Sequence, residues 1–326
     1  MSDPAVSLRD IYLARQRISS IAARTPLIDS PFLSQAAGVP VYLKLENLQR
    51  TGSFKLRGAT NKLLSLSDDE KARGVITVSS GNHGRAVSYV ARQLGIHAVV
   101  CISERVPRNK VEAIRGLGAE VVIHGVSYDE ADAEARRLQQ ARGLTMVDPF
   151  DDPLVIAGQG TIGLELLEEL PTIDAVVVPL SGGGLLGGIA LALKAASPAI
   201  RTIGVSMDRA PVMVHSLRAG KPIELEEEET IADALAGGIG LDNRHTFRLL
   251  QRVLDDTALV SEEEIAAAMA FALDKHHLVV EGGGAVGIAA LLNDRVDHLQ
   301  GNVVVVVSGG NVDLELLLRV AQERRG

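Results

Sequence analysis

Aliphatic runs that end in glycine-rich turns recur along this chain, and they leave few architectures open. Val176-Val-Val-Pro-Leu180 runs into Ser181-Gly-Gly-Gly-Leu-Leu-Gly-Gly188, and five consecutive valines, Val303 to Val307, run into Ser308-Gly-Gly-Asn311. A strand that is apolar on both faces must be covered on both, the condition of a parallel sheet wrapped by helices. Aromatic residues make up 3% of the chain and tryptophan is absent, so the core has to be aliphatic.

Periodicity extends the pattern. Strands are expected at 75–79, 97–102, 120–124 and 144–147, with helices at 85–94, 109–117 and 128–141 between them. A second series has strands at 174–180, 202–207 and 302–307, and helices at 189–196, 262–276 and 312–325. Strands separated by helical stretches imply right-handed crossovers and mainly parallel sheets. Asp148-Pro-Phe-Asp-Asp-Pro153 breaks both periods and is the expected seam between the series. The fold class is α/β, with residues 1–73 and 149–326 assigned to a larger domain and 74–148 to a smaller one. The acidic run Glu226 to Glu229 reads as a solvated loop able to attract a cation.

Several functions are disfavoured. With 33 basic against 41 acidic residues the net charge is −8, which repels phosphate backbones, so no nucleic-acid partner is expected. Cys101 is the one cysteine, excluding a disulfide framework and a cysteine-built zinc site. Met1-Ser-Asp-Pro-Ala5 lacks the features of a signal peptide, and no apolar run approaches the roughly 20 residues of a membrane span. A cytoplasmic protein without a membrane partner is the expectation.

The glycine loops pose a choice. A glycine turn leading into a helix offers freed backbone amides and a dipole that favours an anion, so phosphate is the natural guest after Val176–Leu180. Gly182, Gly184 and Gly187 satisfy the dinucleotide fingerprint, with Asp208 about 20 residues on, but Gly282, Gly284 and Gly287 satisfy the same glycine spacing. An NAD(P)-dependent oxidoreductase therefore stands as an alternative.

Three further segments carry polar chemistry. Lys55 lies in Lys44-Leu-Glu-Asn-Leu-Gln-Arg-Thr-Gly-Ser-Phe-Lys-Leu-Arg-Gly58, where an amphipathic helix would begin. A lysine near a cation and a helix N-terminus has its amine pKa lowered, which makes it a usable nucleophile. Ser79-Ser-Gly-Asn-His-Gly84 is a polar turn able to hold a carboxylate, and Ser308 closes the valine strand. Ligands of open α/β sheets bind at the carboxyl ends of strands, where all these loops fall.

In this order, together with Ala157-Gly-Gln-Gly-Thr-Ile162, these motifs resemble the fold type II pyridoxal-phosphate enzymes, specifically the serine/threonine dehydratase family that includes serine racemase. The resemblance covers essentially the whole chain from Arg24. It implies the tryptophan synthase β-like fold, two open parallel-sheet α/β domains with pyridoxal 5'-phosphate in the cleft between them. Lys55 would form the internal aldimine, Phe54 would pack beside it, and Asn82 would bond the ring hydroxyl. Ser181, Gly182, Gly183, Gly184 and Leu185 would cradle the phosphate, and Ser308 would face the pyridine nitrogen. Ser79, Ser80, Asn82 and His83 would hold the carboxylate of an amino acid substrate. The implied reaction is β-elimination, giving a 2-oxo acid and ammonia, because a neutral hydroxyl at the ring nitrogen disfavours a long-lived carbanion. Relatives are commonly dimers or tetramers, so a homo-oligomer is expected.

Departures refine the resemblance. Ser80 stands where serine racemase keeps its second proton acid/base, making racemisation an alternative. Ser206 replaces the Glu of metal-activated relatives, so no metal is assigned. Glu281-Gly-Gly-Gly284 replaces the family's Glu-Pro, and Glu281 is a candidate for a supporting role. Only a terminal helix is expected after Ser308, with no regulatory domain. Ser206-Met-Asp-Arg209 and Leu235-Ala-Gly-Gly-Ile-Gly-Leu-Asp-Asn-Arg244 look most like the hydroxyectoine utilisation dehydratases, whose substrate would carry a second amine. Asp242 is the candidate to receive it.

Overall fold

Ten strands and the helices between them are built from residues 6–106 and 108–323, the part that this computed structural model describes. The N-terminal Met1 to Ala5 and the end of the last expected helix, beyond Glu323, lie outside the described residues. The strands are β1 Leu27–Asp29, β2 Val41–Leu45, β3 Val75–Val78, β4 Ala98–Ile102 and β5 Glu120–Ile123. They continue with β6 Thr145–Met146, β7 Ile173–Pro179, β8 Arg201–Met207, β9 Asp256–Val260 and β10 Asn302–Val307.

Two separate sheets result, as the alternation of strand and helix predicts. The larger runs β1-β2-β10-β7-β8-β9 and is parallel except for β1, which pairs antiparallel with β2. The smaller runs β5-β4-β3-β6 and is parallel throughout. The valine run explains itself in this setting. Val303, Val305 and Val307 face the helices Glu262–His276 and Gly282–Leu292, while Val304 and Val306 face Pro153–Glu169 and Gly184–Ala196. Alternate side chains of a strand point to opposite faces, and here both faces are core.

Three strands are absent from the sequence expectation. β1 has three residues, and β9 lies at the sheet edge, where only Ala258 and Val260 are buried. β2 hides its strand character behind Lys44, which is fully buried because its ammonium meets Glu165 at 2.8 Å and the carbonyl of Thr25 at 2.7 Å.

The helix Lys55–Leu64 lies between the two sheets. Leu56, Ala59 and Leu63 join the core under the smaller sheet, although they precede residue 74. Its opposite side meets the helix Pro153–Glu169 where Gly58 and Gly158 lie so close that a Cβ on Gly158 would stand 2.7 Å from the Gly58 Cα. Arg57 fastens the crossing from within. It is buried and donates to both oxygens of Glu46 at 2.8 Å, to Glu165 at 2.5 and 2.9 Å, and to Thr161 Oγ1 at 3.1 Å. Among the described residues no helix is long and apolar enough to cross a membrane.

Candidate active site

The loops after β3, β6, β7 and β10 meet at one edge, around the start of the helix Lys55–Leu64. The main chain draws them together. Ser53 forms an antiparallel bridge with Gly309, and the Phe54 amide donates to the Ser308 carbonyl at 3.0 Å. That linkage delivers Lys55 to the carboxyl end of β10.

Lys55 is partly buried, and its Nζ donates to the Pro149 carbonyl at 2.7 Å. The Phe54 ring lies beside it, 5.3 Å from Nζ to centroid. Burial brings the amine down to about 8 from its usual range, against Asp148 and Glu281, which raise it. An amine with a pKa near neutrality is neutral often enough to act as a nucleophile or a base.

The loop Ser181-Gly-Gly-Gly184 fits a phosphate. Gly183 precedes the helix Gly184–Ala196 with φ +86, and no side chain caps that helix start. A Cβ at Gly182 would enter the Phe150 ring, and one at Gly183 would lie 2.7 Å from Leu250 Cδ1. The helix therefore begins on bare backbone amides next to Phe150, the neighbour of the Pro149 that holds Lys55, and bare amides of this kind receive an anion. The second glycine cluster differs. Gly282 and Gly284 are pressed against the carbonyls of Ile231 and Gly309, so their glycines serve packing.

The polar turn divides its duties. Ser79 and Ser80 are partly exposed at the mouth, whereas Asn82 and His83 are buried at the start of the helix Asn82–Leu94. His83 Nε2 lies 3.0 Å from the Val147 carbonyl, so this nitrogen carries the hydrogen and Nδ1 is a lone pair, buried without a partner. Burial, with the Lys55 charge adding to it, takes the ring down to about 3, which keeps it neutral. A neutral ring whose remaining nitrogen carries only a lone pair has no hydrogen for a carboxylate. The sequence reading has the turn hold a carboxylate through backbone amides and hydroxyls, and the His83 ring has no hydrogen to add to them.

Asn82 Nδ2 donates to Glu281 Oε1 at 2.6 Å. Ser308 is buried with its hydroxyl 3.5 Å from the Gly283 carbonyl, a weak hold that leaves it free to serve a ligand.

A cleft of about 550 Å³ opens from Ser80, lined by Lys110, Arg209, Glu227, Glu228, Glu229, Asp233 and Glu262, among others. Glu227, Glu228 and Glu229 are exposed there, so the acidic run forms a wall of the cleft. Asp242 lies in an exposed turn and is not among the residues that line it. Ser206 is buried, its hydroxyl directed at the Met207 sulfur.

Sequence reasoning treated Asp148–Pro153 as a seam and missed its place in the site. Pro149 holds Lys55, Phe150 packs on Gly182, and Asp151 accepts the amides of Arg244, His245 and Thr246 at 2.7, 2.9 and 2.8 Å. The available signal was position, because this loop also follows the carboxyl end of a strand.

Comparison with known proteins identifies the class. The family model described as pyridoxal-phosphate dependent enzyme matches residues 18–309, and the chain belongs to that family. It is a pyridoxal-phosphate enzyme of the threonine dehydratase-like lyases. A putative threonine dehydratase of Sinorhizobium fredii is 51% identical over 311 residues, covering 95% of this chain and 94% of that protein. An L-threonine ammonia-lyase of Thermotoga maritima is 43% identical, covering 97% of this chain and 78% of that protein. The structure of maize serine racemase superposes with a TM-score of 0.92 at 35% identity, covering 98% of each chain. Family membership removes the oxidoreductase alternative.

Proposed function

We propose that the protein is a dehydratase of β-hydroxy amino acids, releasing ammonia and a 2-oxo acid, and that Lys55 both holds pyridoxal 5'-phosphate and moves the Cα proton. The observation that carries this reading is the Lys55 amine, lowered to about 8 and held by the Pro149 carbonyl, while the next residue, Phe150, packs on Gly182 at the uncapped start of the helix Gly184–Ala196. The bound cofactor supplies the electron sink that makes a Cα proton acidic. The chain's own residues do the rest. Ser181, Gly182, Gly183, Gly184 and Leu185 hold the phosphate, Phe54 packs beside the ring, and Ser308 meets the ring nitrogen. Asn82 offers a hydrogen to the ring oxygen. Ser79, Ser80 and the amides of Asn82 and His83 orient the substrate carboxylate, so that the Cα hydrogen faces Lys55 Nζ. The cleft lies between the lobe 74–148 and the lobe formed by 1–73 and 149–326.

For the substrate, we infer an amino acid that bears a second amine, such as the hydroxylated acid derived from hydroxyectoine. The carboxylates of Glu227, Glu228 and Glu229 along the cleft from Ser80 support this reading, since they favour a cationic side chain. Ammonia release from serine, threonine, hydroxyaspartate and hydroxylated diaminobutyrate tests it, with Lys55→Ala as the inactive control. No release from any of them contradicts the dehydratase. A cytoplasmic homo-oligomer is part of the same reading, and sedimentation of the purified protein tests the assembly.

A second reading, racemisation, draws on the place of Ser80 in the wall of the cleft. It requires that Ser80→Ala abolish interconversion of enantiomers while elimination of one enantiomer survives. Unchanged racemisation in Ser80→Ala rejects it.

A further inference from the structure

Four side chains from both lobes form a polar chain whose direction is set by chemistry at its ends. Arg85 Nη1 donates to Asn311 Oδ1 at 2.9 Å, and Asn311 Nδ2 donates to the Thr51 carbonyl at 2.8 Å and to Asn82 Oδ1 at 2.6 Å. Asn82 Nδ2 then donates to Glu281 Oε1 at 2.6 Å, while the Asn311 amide reaches Glu281 Oε2 at 3.1 Å. A guanidinium can only donate and a carboxylate can only accept. Each carboxamide between them therefore has one permitted orientation. Reversing Asn82 would turn its oxygen toward Glu281 and its amino group toward that of Asn311.

An asparagine amino group has two hydrogens, and Glu281 takes one of those on Asn82. We propose that Glu281, with Asn311 and Arg85 behind it, is a positioning residue that fixes the Asn82 carboxamide so that its second Nδ2 hydrogen is the group presented to the cofactor's ring oxygen. This rests on the placement of Asn82 at the cofactor under the proposed function. Glu281 is suited to the role because it is buried at the start of the helix Gly282–Leu292, with its own amide held by the Gly309 carbonyl at 3.1 Å.

The arrangement is sensitive to protons. Burial pushes the Glu281 carboxyl up to about 7, Asp233 pushes it the same way, and the bonds from Asn82 and Asn311 and the charge of Lys110 oppose. The other charges facing it are Lys55 on the helix Lys55–Leu64 and Arg85, which acts through Asn311. Once protonated, Glu281 turns a hydrogen toward one of its two donors and loses that acceptor. The grip on Asn82 weakens as the pH falls through the carboxyl's titration.

The test uses the full chain stripped of cofactor and titrated calorimetrically with pyridoxine 5'-phosphate, which keeps the ring oxygen but has no aldehyde to react with Lys55. Glu281→Gln is expected to weaken binding about tenfold at pH 8, the scale of a hydrogen bond to a charged group, and to reduce the change between pH 8 and pH 6 to the part that Lys55 and the ligand's phosphate contribute, which Asn82→Ala shows alone. Asn311→Ala is expected to weaken it similarly. In an Asn82→Ala background, Glu281→Gln is expected to have no further effect. Wild-type affinity and pH dependence in Glu281→Gln, or losses that add in full in the double variant, overturn the positioning role. Wild-type affinity in Asn82→Ala overturns instead the placement of Asn82 at the cofactor.

Discussion

The guanidinium of Arg57 meets the carboxylate of Glu46 through two bonds of 2.8 Å, with both side chains out of reach of water. Arg57 also holds Glu165, which in turn meets Lys44 at 2.8 Å. The cluster locks the first turn of the helix that starts at Lys55, and so links a structural ion network to the placement of the proposed catalytic amine.

Arg57→Leu leaves Glu46 buried with no cation and Glu165 with Lys44 alone. The expected loss of stability is about 3–5 kcal/mol, the range seen when one partner of a buried pair is removed. Urea denaturation checks it. Replacing Glu46 and Arg57 together by apolar residues of similar volume, which leaves Glu165 paired with Lys44, is expected to cost less than Arg57→Leu alone.

Gly183→Ala tests the phosphate loop. Its φ of +86 and the 2.7 Å approach to Leu250 both penalise a side chain. The backbone penalty is about 1–2 kcal/mol, too small to unfold a domain of ordinary stability. The variant is expected to fold, by circular dichroism, yet to retain little cofactor absorbance after dialysis. Full cofactor content would argue against a tight phosphate cradle at this turn.

The pH dependence of cofactor uptake follows from Lys55. The neutral amine is the reactive form, and burial brings its pKa down to about 8. The rate constant for capture of pyridoxal phosphate is therefore expected to rise about tenfold per pH unit up to about pH 8 and then to level off, as the neutral fraction does. An ordinary lysine would keep rising for about two further units. Asp148→Asn removes a carboxylate that raises the Lys55 value, so the plateau is expected at lower pH. Stopped-flow absorbance measures both profiles.

Neutralising Glu227, Glu228 and Glu229 to glutamine tests the substrate reading. All three are exposed along the cleft that starts at Ser80. The expected result is a KM for a diamino substrate raised several-fold at low salt, with the KM for serine nearly unchanged, because surface carboxylates act through a screened field. Equal effects on both substrates would contradict a charge-selective cleft.

How much of this was legible in the sequence depended on whether a residue's surroundings are local. The valine run announced a doubly covered central strand, and the glycine turn after Leu180 announced a bare helix start, since both depend on neighbours in sequence. β9 was not legible because an edge strand needs only one buried face. β2 was not legible because Lys44 looks like a surface residue until Glu165, far away in sequence, neutralises it. The reach of Asp148-Pro-Phe150 toward Lys55 and Gly182, and the turning of the His83 hydrogen to Val147, likewise depend on partners that no spacing rule identifies.

The central claim concerns one side chain. Reducing the active, yellow protein with borohydride and mapping its peptides should find a single phosphopyridoxyl group, on Lys55, with the visible absorbance lost in step. An unmodified Lys55, or a label on another lysine with activity intact in Lys55→Ala, would contradict the account.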